Sequence, residues 1–95
     1  MKYQLKTTPA FDRQFKKLDR YTQKMIRAWI TKNLVSCEHP RNLGRPLLGA
    51  YQGQWRYRIG TYRLLCQIRD QDCVILALAI GHRRDIYETE SKSNR

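Results

Sequence analysis

The sequence predicts an α+β fold of the order β-α-α-β-β-β, in which a helical hairpin packs on one face of a mainly antiparallel sheet. Two amphipathic segments follow each other in the first third of the chain, and three runs of strand-forming residues occupy the second half. Connections of two or three residues separate these runs, which is typical of β-hairpins. With 95 residues in total, the chain is expected to form a single domain over residues 1–95, with a frayed tail over residues 88–95.

The first elements are indicated by alternation and by capping residues. Residues 2–7 alternate between apolar and polar side chains, which predicts a short strand. Thr8 is placed to cap the first helix, and Pro9 takes the first helical position, where its missing N–H costs nothing. A second helix is predicted over residues 20–34 from apolar side chains at helical spacing. Residues 36–50 hold the remaining prolines and are predicted to form a loop.

The three later strands are predicted over residues 54–59, 62–69 and 73–80. A two-residue turn at Gly60 sets the register of the first hairpin and places Arg58 directly opposite Arg63. Because side chains alternate, Arg56 shares their face. The opposite face is predicted to join the core beneath the helices and carries Trp55, Tyr57, Ile59, Tyr62, Leu64, Cys66 and Ile68.

The pairing register of the last strand is predicted from the residues that would complete that core. A three-residue turn is predicted, and the larger set that it directs inward is Val74, Leu76, Leu78 and Ile80. Ala77 and Ala79 are then left behind the arginines, where small side chains give a shallow concavity. Arg83 follows Ala79 by four residues and therefore shares its face of the strand. Four guanidiniums are thus expected on one surface, those of Arg56, Arg58, Arg63 and Arg83.

Opposed like charges destabilise a strand pair by about 0.2–1 kcal/mol each, so the arginines call for an explanation. Their stems could cover apolar sheet while the charged groups are solvated. Alternatively, the planar guanidinium could bind phosphate in bidentate fashion. A formal net charge of +11 favours a polyanionic partner, nucleic acid first and an acidic protein second. The three cysteines fit neither a disulfide framework nor a zinc site, and the longest apolar run is too short for a membrane, which predicts a soluble cytoplasmic protein.

Three motifs in this order, "LGRPLLG", "WRYRIGTYRLLCQI" and "IGHRRDIY", follow the basic helical hairpin. Together they resemble the RelE toxins of the RelE/ParE superfamily, from bacterial type II toxin-antitoxin systems, over nearly the whole chain to about Tyr87. The resemblance implies an endoribonuclease that cuts mRNA in the ribosomal A site and that a RelB-like antitoxin holds in check. It also implies attack by the ribose 2′-OH on the adjacent phosphate, without a metal or another cofactor.

Roles for single residues also follow from the resemblance alone. Arg63 would stabilise the transition state, Arg83 would act as acid or phosphate clamp, and Tyr87 would stack on or orient a base. Arg58 matches a basic strand position of the family, although an arginine is a poor general base. His82 is the alternative, since an imidazole titrates near neutral pH, but strand parity directs it to the core side. The excess of positive charge adds further expected contacts to RNA, from Arg56, Arg45, Lys16, Lys17, Arg20, Lys24 and Arg27. The last five, on the helices, could contact an acidic antitoxin segment instead.

Two other functions fit the same residues. A toxin of the related ParE type would share the fold, lack nuclease activity and bind DNA gyrase. A basic RNA-binding module without chemistry would bind RNA in a salt-dependent way and leave the strand intact. Supercoiling and strand-cleavage assays separate these alternatives from the nuclease.

Overall fold

The computed structural model describes residues 1–82, and within them the predicted α+β class is confirmed. The helices and strands are β1 (Gln4–Thr7), α1 (Pro9–Lys16), α2 (Arg20–Asn33), β2 (Arg45–Pro46), β3 (Gln54–Ile59), β4 (Tyr62–Arg69) and β5 (Val74–His82). The strands form one sheet in the order β1-β5-β4-β3-β2. β1 pairs with β5 in parallel, and the other pairs are antiparallel.

Both helices begin where a side chain satisfies their first free N–H groups. The Thr8 hydroxyl accepts a hydrogen bond from the backbone N–H of Phe11 at 3.2 Å, and Pro9 opens α1 as predicted. Asp19 caps α2 by accepting from the backbone N–H of Thr22 at 3.2 Å. The two capping residues therefore fix the N-terminal ends of α1 and α2.

The main core lies between the helical hairpin and the sheet. Its buried members are Phe11, Ile26, Ile30, Leu34, Tyr57, Ile59, Leu64, Cys66, Ile75, Ala77 and Ile80. Full burial of each large apolar side chain contributes about 1.5–3 kcal/mol. Burial also raises the pKa of the Cys66 thiol, so this cysteine is packed in its inert protonated form.

The segment predicted as a loop over residues 36–50 contains a strand that the sequence analysis did not assign. β2 pairs Arg45 with Arg56 and Pro46 with Trp55 at the edge of the sheet. A proline is tolerated in an edge strand because its missing N–H can face away from the neighbouring strand. The loop prediction was therefore wrong at these two positions, and the sheet gains a fifth strand within the described part of the chain.

The register of β3 and β4 is confirmed, whereas that of β5 is wrong over its first half. β4 and β5 are joined by four residues, 70–73, and Val74 pairs with Arg69 instead of Ile68. A shift of one residue exchanges the two faces of a strand. Ile75 and Ala77 therefore face the helices, in place of the predicted Val74, Leu76 and Leu78.

A second irregularity restores the predicted alternation. Leu65 pairs with Ala79 while the next residue, Cys66, pairs with Ala77, so Leu78 is the extra residue of a β-bulge. Ile80 consequently reaches the core, and Ala79 lies on the opposite face, as predicted. The strand continues through His82, two residues beyond the predicted end.

A buried hydroxyl joins the core to the segment before β2. Tyr57 is fully buried, and its hydroxyl donates to the carbonyl oxygen of Pro40. Burial raises the pKa of this hydroxyl, which keeps it a donor at neutral pH. We expect Tyr57→Phe to lower the free energy of unfolding by about 1–3 kcal/mol, because the Pro40 carbonyl loses its partner. Urea unfolding of both proteins measures the change, and an unchanged midpoint would contradict this role for the hydroxyl.

Candidate functional site

Four arginines that oppose one another across neighbouring strands lie on the sheet face turned away from the helices. Arg45 pairs with Arg56 across β2 and β3, and Arg58 pairs with Arg63 across β3 and β4. Paired residues share a face, and the intervening Tyr57 is buried on the helix side. We call the surface formed by Arg45, Arg56, Arg58 and Arg63 the arginine face.

The arginine face contains two opposed pairs of like charge. Each pair is expected to cost about 0.2–1 kcal/mol, since like charges directly opposite each other destabilise a sheet. Arg58 is exposed, whereas Arg56 and Arg63 are half-buried. Their planar guanidiniums can donate paired hydrogen bonds to one phosphate group. The arrangement is therefore suited to bind an anion that has several acceptor oxygens.

A cleft of about 910 Å³ extends from this face around the open edge of β3 to α2. Its lining residues are Met25, Ala28, Trp29, Lys32, Asn33, Asn42, Leu43, Gly44, Arg45, Arg56, Arg58, Ile59, Gly60 and Arg63. Cationic groups thus share one cavity with an apolar wall from α2. This combination suits a ligand that has both anionic groups and flat apolar rings.

The loop wall of the cleft is held by side chains of the sheet. The indole Nε1–H of Trp55 donates to the carbonyl oxygen of Leu43 at 2.7 Å, next to the Tyr57 hydrogen bond to Pro40. Gly44 has a φ of +80° and lies so close to β3 that an added Cβ would be 2.5 Å from the carbonyl oxygen of Arg56. The wall and Arg45 are therefore held tightly against β3.

A second anchor lies at the far end of this loop. Arg41 donates to both carboxylate oxygens of Asp70 at 2.9 and 3.0 Å. The Tyr3 hydroxyl donates to the same carboxylate at 2.7 Å. The Arg41 hydrogen bonds hold the pKa of Asp70 below its usual range. The pair is exposed, so it orients the loop more than it stabilises the fold.

His82 lies apart from the arginine face. It pairs with Tyr62 at the end of β5, and the two rings meet edge to face at 5.6 Å. Tyr62 packs against the main core, so the prediction that His82 lies on the core side of the sheet is confirmed. Arg83 and Tyr87 lie outside the described residues.

Five basic residues of the helical hairpin lie outside the cleft, whereas Lys32 lines it. All five are exposed, namely Lys16, Lys17, Arg20, Lys24 and Arg27. The guanidinium of Arg27 lies 5.4 Å from the centre of the Phe15 ring, a cation–π contact. These residues therefore extend the positive charge onto the helices.

The contribution of α2 to the cleft was not predicted from the sequence. Lys32 and Trp29 line the cleft, although neither was a candidate site residue. Helical periodicity identifies the buried side of a helix but does not reveal which flank lies beside a sheet edge. Within residues 1–82, no group of three or more His, Cys, Asp or Glu side chains could hold a metal ion. In the same part of the chain, no helix is both long and apolar enough to cross a bilayer.

Solved structures define the class of protein to which this fold belongs. A chain of the toxin-antitoxin complex RelBE2 from Mycobacterium tuberculosis matches 87% of this chain and 100% of its own length, with a TM-score of 0.79 and 28% identity. The isolated RelE toxin of E. coli matches 95% of this chain and 96% of its own, with a TM-score of 0.68 and 21% identity. At 21% identity, the similarity to the E. coli toxin shows a shared fold alone. The architecture is that of the RelE toxins.

The family follows from the sequence itself. The model of the ParE toxin of the type II toxin-antitoxin system parDE matches residues 5–87. Toxin RelG of Mycobacterium tuberculosis is 42% identical over 48 residues, which are 50% of this chain and 55% of that protein. The chain thus spans about half the length of this curated relative. It belongs to the ParE toxin family of type II toxin-antitoxin systems, within the RelE/ParE superfamily.

Proposed function

We propose that this toxin is a ribosome-dependent endoribonuclease that cuts mRNA in the A site and so inhibits translation in the cytoplasm. The observation that supports it most is the arginine face, in which Arg58 and Arg63 oppose each other beside a cleft of about 910 Å³. Their opposition costs stability, and a phosphate between them removes that cost. Single-stranded RNA supplies both the phosphates and the flat bases that the cleft suits.

In the proposed reaction the ribose 2′ oxygen attacks the adjacent phosphorus. A bond forms between these two atoms, the bond from phosphorus to the 5′ oxygen breaks, and a 2′,3′-cyclic phosphate results. The 2′-OH gives up its proton, and the leaving 5′ oxygen gains one. The phosphorane between these steps carries extra negative charge, which the guanidiniums of Arg58 and Arg63 stabilise.

Proton transfer requires groups other than the arginine face. An arginine remains protonated at neutral pH, so Arg56 and Arg58 supply charge and position. We assign the proton-transfer roles to His82 as candidate base and to Arg83 as candidate acid, while Tyr87 stacks on or orients a nucleobase. His82 pairs with Tyr62 on the helix side of the sheet. For a direct role of His82, the substrate would have to reach it from the side of the sheet opposite to Arg63.

We also propose a cognate antitoxin that resembles RelB. The similar solved structures include RelB–RelE complexes from E. coli and Methanococcus jannaschii. An acidic antitoxin segment would complement a chain with a net charge of +11 and would compete with RNA for the arginine face.

Primer extension in a purified translation system tests the proposed activity. A defined mRNA is incubated with the toxin in the presence and absence of ribosomes, and the positions of new ends are mapped. We expect ends within the codon occupied by the A site, and only when ribosomes are present. An intact message while translation continues would overturn the proposal.

A second candidate function is supported by the ParE family match over residues 5–87. In this alternative the toxin binds DNA gyrase and does not cut RNA. A gyrase supercoiling assay with the same preparation distinguishes the two. Inhibition of supercoiling together with an uncut message would favour the ParE-type function.

A further inference from the structure

The wall of the cleft that α2 supplies is built from one flank of the helix. Ala28, Trp29 and Lys32 follow Met25 by three, four and seven residues, which is the spacing of side chains on a single side of a helix. Seven residues of helix span about 10 Å, so this wall runs from Met25 at one end to Lys32 at the other. The wall is therefore a short apolar strip that ends in a cation.

This flank of α2 lies against β3 and the turn that follows it. A Cβ added at Gly60 would lie 3.8 Å from the terminal methyl carbon of Met25. The rings of Trp29 and Tyr57 pack with their centroids 5.7 Å apart. The helix is therefore fixed beside the end of β3, and Lys32 lies about one helical turn beyond the contact that Trp29 makes.

The cleft passes round the edge of the sheet because β2 is short. Within the described chain, β2 pairs with β3 only at Trp55 and Arg56. Arg58, further along β3, lines the cleft from the arginine face, whereas Lys32 lines it from the side of the helices. No acidic side chain of residues 1–82 lines the cleft. A single extended polyanion can therefore contact both cations, one on each side of the sheet edge.

Lys32 and Trp29 both carry groups that a ligand can use. Lys32 is exposed, and no carboxylate of residues 1–82 is paired with it. The Trp29 ring is partly exposed, and its indole Nε1–H has no acceptor among the described residues. Single-stranded RNA offers a flat base and its acceptor atoms to such a ring, and phosphate oxygens to the ammonium group. A run of acidic side chains offers no flat face to the ring, so RNA fits this wall better.

We propose that Lys32 binds a second phosphate of a single-stranded RNA whose first phosphate lies at Arg58, and that the strand passes round the edge of β3 between them. Trp29 contacts a base of the same strand. The inference rests on the proposed function for the identity of the ligand, RNA, but it does not depend on cleavage. It extends the candidate site from the arginine face onto α2.

Binding of short single-stranded RNA without ribosomes, followed by fluorescence anisotropy over a range of salt concentrations, tests the assignment. One phosphate contact contributes about 0.7 to the slope of log affinity against log salt, which corresponds to about fivefold in affinity at about 0.1 M salt. Lys32→Gln should lose this amount in both measures, whereas Lys32→Arg keeps the charge and should lose neither. The matched control is Lys6→Gln, because Lys6 is exposed on β1, at the opposite edge of the sheet. It changes the net charge equally and should bind within about twofold of the wild type.

A series of RNAs in which one phosphate at a time is replaced by an uncharged methylphosphonate locates the contact. In the wild type, one linkage should lose about fivefold in affinity when it is made neutral, and in Lys32→Gln that linkage should show no further loss. Equal penalties in both proteins, or no RNA binding by the wild type, would overturn the inference. Circular dichroism confirms that each variant is folded.

Two further outcomes separate this inference from the alternatives. An oligoglutamate peptide that needs Lys32 for binding, while RNA does not, would overturn the inference and assign the wall to an acidic protein. Coupling between Lys32 and one linkage without any cleavage would retain the inference and refute only the nuclease, whereas cleavage without coupling would do the reverse.

Discussion

Replacing Arg63 with alanine is expected to lower the rate of mRNA cleavage by a factor of about 10²–10³, as removal of one donor to a charged transition state does in other enzymes. The structure places Arg63 directly opposite Arg58, so that both guanidiniums can contact one phosphate. The loss should appear mainly in the single-turnover rate on programmed ribosomes. Circular dichroism is used to check that the variant remains folded.

Arg69→Ala is the matched control for this variant. Arg69 lies on the same strand and has the parity of Arg63, but it is six residues away, about 20 Å along β4. Cleavage by this variant should remain within about twofold of the wild type. Equal activity of the two variants would show that the position of Arg63 opposite Arg58 has no special role.

The second large effect is expected from Gly44→Ala. An added Cβ would lie 2.5 Å from the carbonyl oxygen of Arg56 and 2.6 Å from Nε1 of Trp55, and φ at this position is +80°. The loop must therefore move away from β3, which weakens the hydrogen bond from Trp55 to Leu43. Backbone strain and the lost hydrogen bond together predict about 3 kcal/mol of destabilisation, or a fall in Tm of about 10 °C or more.

Gly53→Ala separates the contribution of the close contact from that of the backbone conformation. Gly53 also has a positive φ, +97°, but nothing lies within 4 Å of its added Cβ. We expect this control to lose only about 1–2 kcal/mol, the cost of a left-handed conformation. Calorimetry of both variants gives the comparison, and equal losses would mean that Gly44 is required for its φ alone.

Helix caps and hairpin turns were predicted correctly where residues close together in the chain determine the structure. Thr8 and Pro9 open α1, and the turn at Gly60 fixes the register that opposes Arg58 and Arg63. These features depend on capping chemistry and on turn length, both of which can be recognised in a short stretch of sequence. The opposition of Arg58 and Arg63 was therefore predictable from the sequence, whereas that of Arg45 and Arg56 was not, because β2 was not predicted.

Other features depend on contacts that the sequence does not reveal. The four-residue turn before Val74 and the bulge at Leu78 each shift the register by one, and either alone would change which face meets the helices. β2 consists of two residues, and one of them is Pro46, so strand propensity cannot identify it. The packing of Leu47 on Leu65, which brings the segment after β2 onto the arginine face, joins residues that are far apart in the chain.

The proposal of attack by the 2′-OH is tested most directly by a message with a single 2′-deoxynucleotide at the position that is cut. Ribosomes programmed with this message and with the unmodified one are incubated with the toxin, and the new ends are mapped by primer extension. We expect the unmodified message to be cut, leaving a 2′,3′-cyclic phosphate, and the modified message to stay intact at that position. Equal cutting of both messages would contradict it.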